Sequence, residues 1–247
     1  MAGVDAQVPV ADAGPASIRM YVHTADTLYR IDNINFALTE VGPFNAPEDA
    51  RMTDLAVTPD GEIYTLSSST STTASGLFKI NADTGQATFV ADVGEIDEQP
   101  NVGMTFLIDG TLLATDKTGG VRKIDPNTGA IMELGSFGSG YATAGDLVAI
   151  EDGRMFAISD TGPNGNEDIN NVLITINPET GKFISSIGQI GWGKVYGSAV
   201  ANNRIYAFTS EGYVIEINPS NGVGTQRALY DTISFWGAGV TPRAGIQ

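Results

Sequence analysis

The sequence predicts an all-β fold: a single five-bladed β-propeller with four antiparallel strands per blade, its ring closed by a C-terminal strand joining the N-terminal strands. Three observations lead there. A short apolar strand pattern recurs along the chain, each copy is followed by the same tight turns, and the two ends of the chain are complementary fragments of one copy. The copies are spaced by 40 to 51 residues, the range of a propeller blade.

The first strands of the copies are TDLAV (53–57), VGMTF (102–106), GDLVA (145–149), YGSAV (196–200) and WGAGV (236–240), which align Asp54, Gly103, Asp146, Gly197 and Gly237. Second strands come after tight turns in PDGEIYTL, IDGTLLAT, EDGRMFAI and ANNRIYAF. Asp-Gly and Asn-Asn suit these turns because they accept the positive φ of a two-strand connection. Third strands LFKIN, VRKID, LITIN, VIEIN and LYRID alternate apolar and polar residues, as half-buried strands do. Four of them run into a shared turn, NADTG, DPNTG, NPETG or NPSNG, whereas the fifth, DNINF, lacks the glycine. Fourth strands are expected in ATFVADV, IMELGSF, FISSIG, TQRALY and ALTEVG.

Residues 18–42 supply a second, third and fourth strand without a first, and 235–241 supply a first strand without a successor. Pairing them closes the ring and removes two exposed sheet edges. The propeller is therefore expected over 18–247, after a flexible segment over 1–17. That segment is small, acidic and Pro-containing, in character like the start of a chain from which a signal or lipoprotein signal has been removed.

Composition narrows the function classes. The 247 residues are 42% hydrophobic, enough for one large core, and the 30 glycines suit many short strands. Without cysteine there is no disulfide, thiolate metal site or cysteine nucleophile. A formal charge of −16 disfavours nucleic acid and anionic membrane and favours cations or basic partners. No apolar run reaches the roughly 18 residues of a transmembrane segment. An extracellular, periplasmic or cell-surface setting is expected.

The Asp-Gly turn followed by an I-[ND]-P-x-[TS]-G turn, as in PDGEIY…INADTG and EDGRMF…INPETG, resembles secreted bacterial propellers over about residues 18–241. These are the regucalcin-like, quinoprotein-like and surface-layer groups. Five units depart from the regucalcin-like enzymes, which have more, and the tryptophan docking motif of quinoprotein blades is absent. The regucalcin-like resemblance implies a Ca²⁺-dependent hydrolase or lactonase, with the cation at the strand-start residues Asp54 and Asp146.

Candidate sites concentrate on one face, where the long connections 43–52, 67–76, 94–101, 160–171, 188–195 and 231–235 are expected. Asp54 and Asp146 stand where the other copies have glycine. Such carboxylates either hold a hard cation or accept backbone N–H groups and tie blades together. Asp160, Asn164, Asn166 and Asp168 form an oxygen-rich loop, a second candidate metal site or a set of Asx turns. Trp192, Tyr196, Phe235 and Trp236 either offer flat faces to a sugar or peptide or wedge blades together. His23 and Asp116, at the ends of second strands, complete the ligand-binding candidates. His23 is the sole histidine and no nucleophile-elbow motif accompanies it, so no catalytic residue is assigned. The expected function is a non-catalytic secreted or surface-anchored propeller binding a protein or glycan through its long-loop face, without a cofactor unless Ca²⁺ is bound. The alternatives are the Ca²⁺-dependent lactonase and a structural module of a cell-envelope assembly.

Overall fold

The computed structural model describes residues 19–48, 50–69, 75–93, 101–162, 165 and 169–245. In chain order, β1 (Met20–His23), β2 (Thr27–Ile31) and β3 (Leu38–Pro43) open the first blade. Blade 2 is β4 (Ala50–Val57), β5 (Ile63–Ser69), β6 (Ser75–Ile80) and β7 (Ala87–Val93). Blade 3 is β8 (Asn101–Phe106), β9 (Leu112–Asp116), β10 (Gly120–Ile124) and β11 (Ile131–Ser136). Blade 4 is β12 (Thr143–Ala149), β13 (Met155–Ser159), β14 (Val172–Ile176) and β15 (Phe183–Gln189). Blade 5 is β16 (Val195–Ala201), β17 (Arg204–Thr209), β18 (Tyr213–Ile217) and β19 (Gly224–Leu229). The last strand, β20 (Gly237–Gly239), pairs antiparallel with β1 and so completes blade 1 as one strand plus three. Five four-stranded blades and the closing strand stand as the repeat pattern implies.

Local chemistry explains the regularity. In the turn between third and fourth strands, an Asn or Asp side chain accepts the backbone N–H two residues on: Asp32 from Ile34, Asn81 from Asp83, Asp125 from Asn127, Asn177 from Glu179 and Asn218 from Ser220. Four of these turns close on a glycine with positive φ, such as Gly85 at +76°. In blade 1 the same place is taken by Phe36 at φ +58°, an uncommon conformation for a bulky residue. Its ring meets Tyr206 edge-on at 5.6 Å, and its carbonyl accepts the Tyr230 hydroxyl, so contacts with blade 5 fix it there.

The core lies between neighbouring blades, where one sheet's face packs on the next. Leu66 and Leu77 of blade 2 meet Met104 and Phe106 of blade 3 in one such layer, all of them buried. The chain's end adds a strap on the face of the turns between first and second strands. Ala244 is fully buried and accepts a hydrogen bond from the Glu151 amide of blade 4, while Arg243 Nε donates to the Pro59 carbonyl of blade 2. The strap thus reaches from blade 1 to turns of blades 2 and 4, on the face opposite the long connections.

Residues 70–74, 94–100, 163–164 and 166–168 of those long connections lie outside the described residues, and Asn164, Asn166 and Asp168 of the oxygen-rich loop are among them. The expected segment 1–17 lies outside them as well.

Candidate functional site

Four of the five inner strands carry an irregularity at one place. The pairing register shifts between Met52 and Asp54 in β4, Asn101 and Gly103 in β8, Thr143 and Leu147 in β12, and Val195 and Gly197 in β16. A bulge leaves one residue unpaired and re-aims its side chain. The residues displaced are Thr53, Val102 and Tyr196 in β4, β8 and β16. In β12, Ala144, Gly145 and Asp146 are all left unpaired, and Ala144 with Gly145 takes the place of the other three. In blade 1, Trp236 holds the matching place, one residue before Gly237, which pairs with His23. These positions together line a pocket of about 380 Å³.

A second set of lining residues comes from the ends of second strands. There, one buried polar residue caps the turn and the next one faces the pocket. Ser67 Oγ accepts the Gly76 amide, and Ser68 lines the pocket. Asp116 accepts the Thr118 and Gly120 amides, and Lys117 lines it. Ser159 donates to the Thr161 carbonyl, and Asp160 lines it. The walls consequently differ. Blades 5 and 1 contribute the half-buried rings of Tyr196 and Trp236, whereas blades 2, 3 and 4 contribute the hydroxyls of Thr53, Ser68 and Thr143 and the charges of Lys117 and Asp160.

One step below this ring, Asp54 and Asp146 are fully buried. Each ties its blade to the next. Asp54 Oδ2 accepts the Met104 amide of blade 3 at 2.7 Å, and Asp146 accepts the amides of Leu147, at 2.5 Å, and of Ser198 in blade 5. The two carboxyl groups are close enough for each to affect the other's titration. Burial, joined by the charge of Asp146, pushes Asp54 well above the usual carboxylate range; burial pushes Asp146 up as well, against hydrogen bonds from Asp54, Ser198 and Leu147. One proton shared between the pair avoids two charges in a dry interior.

Glycine at the neighbouring positions is a requirement of space. A Cβ on Gly237 would stand 2.4 Å from His23 Nε2 and 2.5 Å from Asp54 Oδ1, so these two buried atoms flank the same small volume. Among the described residues neither has a hydrogen-bond partner. His23 Nδ1 donates to the Thr24 carbonyl at 2.6 Å, and burial lowers its pKa to about 4, so the neutral ring presents a lone pair at Nε2. A hard cation of the kind the fold resemblance implies prefers six to eight oxygen ligands. Here three of the four aspartate oxygens accept backbone amides, and among the described residues no group of three or more His, Asp or Glu side chains is disposed to hold an ion. These donors do not fit one.

The remaining candidates are dispersed. Phe235 is fully buried between Phe208 and Tyr230, both edge-on. Trp192 is half-buried against Tyr213 at 4.8 Å and does not line the pocket. Asp116 is buried in an ion pair with Arg122. Of the ligand-binding candidates, Tyr196 and Trp236 come together at the mouth, joined there by Asp160; Asp168 is outside the described residues. Sequence reasoning passed over Thr53, Ser68, Val102, Lys117 and Thr143. For Thr53 and Val102 the signal is positional, one residue before the axial alignment, and for Ser68 and Lys117 it is a place next to a turn cap; Thr143, three residues before Asp146, carries neither.

No protein-family model matches the chain, and no curated protein matches it. Solved structures do. A Bacteroides thetaiotaomicron protein of unknown function aligns at 13% identity with a TM-score of 0.54, over 88% of this chain and 60% of that one. The PQQ-bound aldose sugar dehydrogenase of Streptomyces coelicolor aligns at 13% identity with a TM-score of 0.53, over 90% and 84%. The periplasmic gluconolactonase of Pseudomonas aeruginosa aligns at 9% identity with a TM-score of 0.49, over 90% and 98%. The likeness is one of fold.

Proposed function

We propose that the protein is a non-catalytic binding module of an extracellular, periplasmic or cell-surface setting, and that it takes a glycan at the axial mouth. The observation that carries this reading is the division of the pocket into an aromatic wall and a polar wall. A pyranose ring has apolar C–H faces and hydroxyls around its edge, so it stacks on Tyr196 and Trp236 while its edge hydrogen-bonds to Ser68. The Thr53 hydroxyl, donating to the Leu66 and Asn101 carbonyls, and that of Thr143, accepting the Gly145 amide, hold the polar wall in shape. Of the carboxylates and the imidazole near the axis, Asp160 alone lines the pocket. Asp54, Asp146 and His23 are wholly buried beneath it.

The test is binding to a glycan array followed by calorimetry on the ligands found. Trp236→Ala is expected to weaken binding by about 30-fold, the scale of losing a central aromatic anchor. Trp192→Ala is expected to leave binding unchanged. If the wild-type protein binds no glycan, or if Trp236→Ala binds as tightly as wild type, the reading fails. Turnover of a lactone or glycoside, abolished by Asp54→Asn, would replace it with an enzyme.

A further inference from the structure

We propose that the glycan taken at the mouth is an acidic one, its uronic-acid carboxylate received by Lys117. This rests on the glycan reading above and goes one step beyond it. In a five-membered ring of blades, blade 3 faces the junction between blades 5 and 1. Lys117 on blade 3 therefore stands across the pocket from Tyr196 and Trp236, which flank that junction. A sugar stacked on the two rings turns its far edge toward Lys117, and the substituent on that edge decides what the ammonium meets.

The lysine is held for such a contact. Its loop is short and closed by Asp116, whose Oδ1 accepts the Thr118 amide at 2.8 Å, the Thr118 hydroxyl at 2.7 Å and the Gly120 amide at 3.0 Å. The Gly119 amide also donates to the Asp116 carbonyl at 3.0 Å. The backbone at 117 is thus fixed while the side chain is exposed. The nearby cation, Arg122, is spent on Asp116 within the fold. Lys117 has no ion pair or side-chain hydrogen bond among the described residues, and among them it is the one cation lining the pocket. The lining anion, Asp160 on blade 4, is engaged within the protein.

A carboxylate on the sugar completes this arrangement with a charge-assisted hydrogen bond, about twice as strong as a neutral one. A hydroxymethyl group at the same place gives a neutral contact only. The net charge of −16 opposes an anion at long range, but that field is screened beyond about 8 Å at physiological ionic strength, whereas the Lys117 contact acts at hydrogen-bond distance.

Calorimetry on matched oligosaccharides, glucuronate against glucose and galacturonate against galactose, tests the assignment with the whole chain. Wild type is expected to bind the acidic member about 10-fold more tightly. Lys117→Gln is expected to remove that preference, so that the two members bind alike, with thermal stability unchanged, and Lys117→Arg to retain most of it. Equal or tighter binding of the neutral sugars, still lost in Trp236→Ala, overturns the acidic assignment and leaves the glycan reading standing. An equal loss for both members in Lys117→Gln overturns it as well. Failure to bind any member overturns the glycan reading and this assignment with it.

Discussion

Around the axis of this propeller, adjacent residues have opposite fates. Asp54 is buried and binds the next blade, while Thr53 before it faces the pocket; Gly237 is buried against Asp54, while Trp236 before it forms the aromatic wall. The pattern repeats at the second strands, where buried Asp116 closes a turn and exposed Lys117 looks into the mouth. Holding the ring and meeting a ligand are thus separated by a single residue. The lesson is that a departure from a repeat does not by itself mark a site. The aspartates at 54 and 146 are the most conspicuous departures, and the structure spends them on the fold.

Separating such neighbours by mutation sharpens the contrast, and the largest effect is expected at the turn cap. Asp116→Ala leaves the buried guanidinium of Arg122 with Asn101 but without its carboxylate, which costs about 3–5 kcal/mol. Lys117→Ala, one residue on, is expected to stay within about 0.5 kcal/mol, as exposed positions do. Urea titration reads both, and comparable shifts in midpoint would break the contrast. Next comes the axis. Gly237→Ala places a methyl 2.4 Å from His23 Nε2, 2.5 Å from Asp54 Oδ1 and 2.7 Å from the Asp54 Cα, and the backbone among these cannot yield as a side chain can. Overpacking of this kind costs about 1–3 kcal/mol. A melting temperature equal to wild type would mean that the axial volume is larger than the contacts imply.

The blades were legible in the sequence because turn chemistry is local: Asp-Gly and the Asx-capped NADTG-type turns specify their own backbone, whatever lies beyond them. Closure was legible because two fragments summed to one repeat. The mouth was legible only in part. Trp192, Tyr196, Phe235 and Trp236 are all aromatic residues near inner strands, yet they point to different places. Tyr196 stands at a one-residue bulge and lines the pocket; Phe235 and Trp236, which precede β20, point to opposite sides, Phe235 into the core and Trp236 into the pocket. In blade 4 the irregularity takes in both Ala144 and Gly145, and no local signal in GDLVA announces it. The choice between cation and blade tie for Asp54 and Asp146 depended on the Met104 and Ser198 amides, 50 and 52 residues away in sequence and brought close only by the closed ring.

The smallest effect at any one pH is a change of slope, and it distinguishes the two kinds of buried group at the axis. Asp54 and Asp146 have folded-state pKa values raised above the ordinary 3.8, mainly by burial. The folded protein therefore binds their protons more tightly than the unfolded chain does. Their contribution is fully present below about 3.8 and is lost as pH rises through their folded values. His23 works in the other direction. Its pKa falls from 6.5 to about 4, so its contribution is complete above 6.5 and is lost on acidification toward 4. Asp54→Asn keeps the shape, leaves an amide oxygen to accept the Met104 amide, and removes one titrating proton. Its melting temperature is expected to fall less steeply than that of wild type as pH is raised from 4 toward neutrality, while His23→Gln is expected to lose the opposing rise between 4 and 6.5. A wild-type profile unchanged by Asp54→Asn would show that the carboxyl carries its charge in the fold, and the blade tie at the axis would then have to be a salt-like contact that the surrounding groups stabilise.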